Sequence, residues 1–171
     1  MNSIHIADTG VFVAVGRSSN NRYRALRTFA RRNDIVFVVP KRVYGELTVS
    51  DSELATPPID QAIDAKWAIV GEPLDFTNPL VSRVMDGVQR FIASADDRNE
   101  DEIEQADAAL AALAAQHLTT GAATDAIIYT TDIAAGQGAE AVLASEGYED
   151  SVTFVNAFDL IEELVDADLK R

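Results

Sequence analysis

The chain has 171 residues, 47% of them hydrophobic, which is enough for one sizeable core and fits one domain better than two. It has no cysteine, so disulfides and thiolate zinc sites are excluded, and with only His5 and His117 a histidine-rich centre is unsupported. Any metal is held by oxygen, which favours magnesium or manganese. The net charge of −14 comes from 28 acidic and 14 basic side chains, only Lys41, Lys66 and Lys170 being lysine. That balance suits a high-salt cytoplasm, where ions screen self-repulsion; an ordinary acidic protein is the alternative.

No run nears the ~18 apolar residues of a membrane span. MNSIHIADTG lacks the basic and apolar regions of a signal peptide, so a cytoplasmic location is expected. Residues 1–47 carry eight basic side chains against three acidic ones, a segment charge of +5 that leaves −19 for the rest. A basic segment in an acidic chain hints at a surface that faces a polyanion.

In chain order, Ile4–Ala7 reads as a strand ending in Asp8. Residues 21–32 place Tyr23, Leu26, Phe29 and Ala30 on one helical face, with arginines elsewhere. Ile35–Val39 is a β-branched and aromatic run suited to a strand buried on both faces. Pro40 ends it, and Val43, Tyr44 and Leu47 suggest a helix carrying Glu46. Residues 50–60 read as a loop, Ile63–Val70 and Pro79–Ser94 as helices, and Ile103–Gln116 as a further helix after an acidic stretch. Ala126–Thr130 is a buried-type strand running to Asp132. Gly136 and Gly138 flank a loop, and a helix follows over 139–146. A strand at Val152–Val155 and a last amphipathic helix complete the chain. Alternating strands and helices predict a parallel sheet covered on both faces.

Open parallel sheets bind ligands beyond the carboxyl ends of their strands. Asp8 follows the first expected strand and Asp132 the third, each beside a threonine, Thr9 and Thr131. Either aspartate alone could be a helix cap or turn residue. Asp107 lies four residues after Ile103 and three before Leu110, which puts it on the apolar stripe. A buried carboxylate must be paired, protonated or metal-bound. Its flank (Glu100, Asp101, Glu102, Glu104) offers no cation, which favours metal over a salt bridge. Glu46 follows Val43 by one turn and faces inward or, alternatively, is a partly solvated helix acid. Carboxylates without lysine or histidine hold hard divalent ions, which activate water and neutralise charge on a phosphodiester. Asp125 and Glu104 are expected outside such a cluster. Walker, Gly-x-Ser-x-Gly and His-Glu-x-x-His motifs are absent from the sequence.

Four segments in order, IADTGVFVAV, VPKRVYGEL, EQADAALAALA and IIYTTD, resemble the PIN-domain family, especially its VapC-type toxin branch. They place Asp8, Glu46, Asp107 and Asp132 at the family's acidic positions, and the resemblance spans nearly the whole chain. It implies a three-layer α/β/α sandwich with a central parallel sheet, and residues 1–171 as one domain with an extended helical segment at about 50–100. It further implies magnesium- or manganese-dependent RNA hydrolysis at those four residues, homodimers, and in toxin members an antitoxin partner. Thr9 and Thr131 would support the acids; the +5 charge of residues 1–47 suggests that Arg22, Arg24, Arg27, Arg31 and Arg32 line a route for RNA or, alternatively, solvate a helix or bind a partner's acidic tail. The stretch between Glu46 and Asp107 is long for a compact toxin, and IAAGQGAE after Asp132 is smaller than relatives carry there. A PIN-like module that binds RNA or protein without cutting is the alternative. A phosphoacceptor receiver domain fits poorly, because the first strand carries one acid and no lysine lies between Lys66 and Lys170.

Overall fold

The structure, a computed structural model, describes residues 2–41, 58–103 and 105–170. Five strands form one sheet: β1 (Ser3–Ala7), β2 (Phe37–Val39), β3 (Ala68–Val70), β4 (Asp125–Thr130) and β5 (Val152–Asn156). Their order is β3-β2-β1-β4-β5, and every neighbouring pair is parallel. Among the described residues seven α-helices cover it: α1 (Thr9–Val15), α2 (Asn21–Arg32), α3 (Pro58–Asp64), α4 (Pro79–Ala95), α5 (Gln105–Thr120), α6 (Ile133–Leu143) and α7 (Ala157–Leu169).

Strand alternation assigns the two faces. Ile4, Ile6, Ala126, Ile128 and Val152 point into a core shared with α4, α5 and α6. Ala7, Phe37, Val39 and Tyr129 point the other way, with Val11, Leu26, Ile59 and Ile161 from α1, α2, α3 and α7. Trp67 fills the second core, edge-on to Tyr23 (5.3 Å) and Phe37 (6.1 Å). Helices on both faces of a parallel sheet make the three-layer α/β/α sandwich that the sequence predicts. From β1, the chain builds outward to β2 and β3, then returns to the opposite side of β1 with β4 and β5. The direction therefore changes between β1 and β4, and the crevice beyond their carboxyl ends is the fold's natural ligand site.

Three expectations need correction. The helix expected at Ile63–Val70 is instead the end of α3 and the strand β3. Lys66 has φ +67°, which breaks the helix, and Ala68–Val70 then pair with Phe37–Val39. Residues 58–60, expected in a loop, instead open α3, and the rest of that expected loop lies outside the described residues. Gly136 and Gly138 lie inside α6 rather than beside a loop: a Cβ at Gly136 would collide with the Phe154 ring and one at Gly138 with Phe91. Those glycines let α6 approach β5 and α4 closely, which offsets the roughly 1 kcal/mol helix penalty of each.

Candidate active site

Asp8 extends β1 by one residue; its N–H donates to Tyr129 O (3.0 Å). Its backbone takes the N-cap position of α1, yet its side chain makes no capping hydrogen bond. The carboxylate turns instead toward β4. Oδ2 accepts from Thr130 Oγ1 (2.9 Å) and Oδ1 from Thr9 Oγ1 (3.3 Å). Register explains the partner: Ala7 lies opposite Tyr129, so the next residue of each strand, Asp8 and Thr130, meet at the edge. Thr130 is fully buried, and its hydroxyl oxygen also accepts from Asp132 N (3.1 Å). One hydroxyl thus ties both aspartates together.

Asp132 caps α6, Oδ1 accepting from Ala135 N (3.1 Å). It also approaches Asp8 closely enough for its charge to act on that carboxyl. Burial pushes the Asp8 carboxyl above its ordinary range; the Thr130 and Thr9 hydrogen bonds draw it back, and the Asp132 charge adds to the rise. The site so far is a desolvated carboxylate beside a second acid, at the switch point of the sheet. Behind it, His5 Nδ1 and the Tyr129 hydroxyl form a hydrogen bond (2.9 Å), with burial pushing Tyr129 up to about 12 and His5 down.

Asp107 is half-buried in the first turn of α5. The stripe that pointed it inward does not survive: Ile103 lies before the helix, and α5 is buried on almost every side from Ala106 to Leu118 because α4, α6 and the sheet enclose it. Asp107 does sit toward the carboxyl edge, since the other end of α5 leads back to the start of β4. Among the described residues no three acids or imidazoles are grouped closely enough to hold one ion. Glu46 and Glu104 lie outside the described residues. Asp125 starts β4, at the opposite edge.

Thr9 touches Asp8 as expected of a supporting residue. Thr131 packs instead on α1, where a Cβ on Gly10 would collide with its hydroxyl. Thr130 is the residue that sequence reasoning passed over; only the pairing of Ala7 with Tyr129 singles it out. Arg31 and Arg32 end α2 just before β2 begins, at the amino edge of the sheet. Arg24 donates to Ser19 O (3.1 Å) and Asn21 Oδ1 (3.0 Å), and shares a groove with Asp168 and Leu169 at the far end of acidic α7. Arg27 stacks over Tyr23, 5.9 Å from the ring centroid.

A sequence profile described as the halobacterial PIN domain matches residues 1–168. The chain belongs to that family. No curated protein matches it. PIN domains are in general nucleases, hydrolases of phosphodiester bonds, and typically use divalent metal ions. The halobacterial assignment fits the net charge of −14 and the scarcity of lysine. No helix among the described residues is long and apolar enough to cross a membrane.

Proposed function

We propose that this PIN domain is a magnesium- or manganese-dependent endoribonuclease, with Asp8 and Asp132 as core metal ligands and Glu46 and Asp107 completing the set. One observation carries the reading. Asp8 occupies a cap position without capping, and its half-buried carboxylate, partly desolvated, lies beside another acid at the switch point. Burying like charges together costs several kcal/mol unless a cation joins them. The described donors here are all oxygens, which fits a hard divalent ion. When bound, that ion supplies an activated water and neutralises the charge that develops on the phosphate. The chain's own residues orient the site: Thr130 fixes the Asp8 carboxylate, and Asp132 keeps one oxygen on the α6 cap, leaving the other for a ligand.

The toxin of a toxin–antitoxin pair is the setting we favour, with a small antitoxin as partner and a homodimer as the assembly; the family resemblance supports this. The non-cutting alternative also has an observation behind it, the grouping of only two acids among the described residues. A gel assay on defined single-stranded RNAs with manganese decides. Metal-dependent internal cuts that vanish in Asp8→Asn and Asp132→Asn support the nuclease. Intact RNA at every manganese concentration, with RNA still bound, rejects it in favour of the binding module.

A further inference from the structure

Beside the carboxylates, a cleft of about 290 Å³ opens between Pro40, Lys41, Glu72, Pro73, Leu74, Phe76 and Ala109. Its position follows from the sheet. Pro40 and Lys41 prolong β2, one strand spacing, about 4.8 Å, from β1 and Asp8. Glu72 follows β3, and Ala109 is two residues beyond Asp107 on α5. The cleft therefore continues the same carboxyl edge away from Asp132.

Its aromatic wall is held in place. Phe76 is 52% exposed. Yet the chain on both sides of it is pinned to α5 by buried Gln116, which accepts from Asp75 N (2.7 Å) and donates to Pro73 O (3.1 Å). Asp75 Oδ1 accepts from Thr77 N (3.0 Å), Asn78 caps α4 through Leu80 N (3.1 Å), and Ser82 Oγ donates to Phe76 O (3.1 Å). Gln116 and Thr130 are the buried polar side chains among the described residues. Thr130 orients the acids, and Gln116 orients this loop.

We propose that the cleft is a nucleobase subsite that selects guanosine in single-stranded RNA; this rests on the nuclease reading. The volume falls at the small end of ligand pockets, roughly 300–1,000 Å³, and suits one base. Phe76 and the two prolines offer flat apolar faces for stacking, the usual source of affinity for unpaired bases. Glu72, an acceptor-only carboxylate, matches the adjacent N1–H and N2–H₂ donors of guanine's Watson–Crick edge. Lys41, one of three lysines in a chain of net charge −14, supplies the cation for the attached phosphate. A base edge, a base face and a phosphate are thus each met by one side chain of the same cleft.

The test is fluorescence anisotropy with labelled pentanucleotides UUGUU, UUCUU, UUAUU and UUUUU, in calcium, which takes the same oxygen ligands. Cleavage is followed separately in manganese. UUGUU should bind tightest. Phe76→Ala should weaken all four by about tenfold, with Phe76→Trp restoring them. Glu72→Gln should remove the preference for UUGUU while leaving UUUUU unchanged, and Lys41→Ala should make the slope of log affinity against log salt more positive by about one unit. Wild-type affinities in both Phe76→Ala and Lys41→Ala would overturn the subsite even if wild-type protein cuts RNA. An unchanged base preference in Glu72→Gln would overturn the guanine assignment. Expected binding without any cleavage would leave the subsite standing and remove the nuclease.

Discussion

Thr130 offers the sharpest test of the site. Thr130→Val keeps the buried volume and removes the hydroxyl that donates to Asp8 and accepts from the Asp132 N–H. A hydrogen bond to a charged group is worth about 1.5–3 kcal/mol, and the freed N–H adds about 1 kcal/mol. The sum, roughly 2–4 kcal/mol, corresponds to a fall in Tm of about 5–15 °C for a chain of this size. Thr130→Ser keeps the hydroxyl and loses only a buried methyl, so it should cost less than valine, about 1 kcal/mol. The sign with pH follows from Asp8. Burial raises its carboxyl in the folded state, so the favourable contribution is fully present below the ordinary carboxylate pKa of about 3.9 and is lost as pH rises through the folded value. The Thr130 bond limits that loss; without it the Asp8 pKa climbs further. The difference in Tm between wild type and Thr130→Val should therefore shrink as pH falls toward the carboxylate range. Differential scanning calorimetry without divalent metal measures both. A valine variant within about 2 °C of wild type, or a serine variant less stable than valine, would refute the hydroxyl's bridging role.

Asp8→Asn removes the buried charge while keeping an acceptor for Thr130, so metal-free Tm should rise and the gain from manganese should disappear; a wild-type response to manganese would take Asp8 out of the metal site. Raising potassium chloride from about 0.1 to about 2 M should raise Tm by screening the −14 charge, and a flat or falling curve in thermal melts would discount salt adaptation. Gly136→Ala gains about 1 kcal/mol of helix propensity but drives a methyl into the Phe154 ring, so urea melts should show a net loss of about 1–2 kcal/mol; a gain would mean the ring simply swings out. Reversing Arg31 and Arg32 to glutamate should leave RNA affinity and its salt slope unchanged, because both lie at the edge opposite Asp8; a slope loss of about one unit per residue would place RNA on α2.

Elements with a strong period were legible from the sequence: α2 and α4 by their apolar stripes, β1, β4 and β5 by their short apolar runs. β3 was not. Its three residues continue the apolar spacing of the helix before them, and only pairing with β2 makes them a strand. The glycines of α6 read as breakers when taken alone; their reason, close approach to Phe154 and Phe91, exists only in three dimensions. The stripe argument for Asp107 presumed an amphipathic helix, whereas α5 is enclosed, so its period says little about direction. Asp8 and Asp132 were legible because a strand end followed by an acid is a local pattern. Which neighbouring threonine serves them depends on register between β1 and β4, which no local pattern contains.

On the proposed reading a chain of net charge −14 binds a polyanion, while Arg31 and Arg32 lie at the edge opposite Asp8. Long-range attraction is then no basis for affinity. At about 1 M salt the Debye length is about 3 Å, so repulsion from the rest of the surface barely reaches the RNA. What remains is the contact chemistry proposed above: metal at Asp8 and Asp132, stacking at Phe76, one ammonium at Lys41. Stacking is largely indifferent to ions, whereas the Lys41 contact weakens with them. These opposed dependences imply an RNA affinity that first rises with salt, as self-repulsion is screened, and then levels off. A basic nuclease would show a monotonic decline instead. Isothermal titration with UUGUU across potassium chloride concentrations separates the two. A decline from the lowest salt onward would mean that some basic surface, and not this edge, holds the RNA.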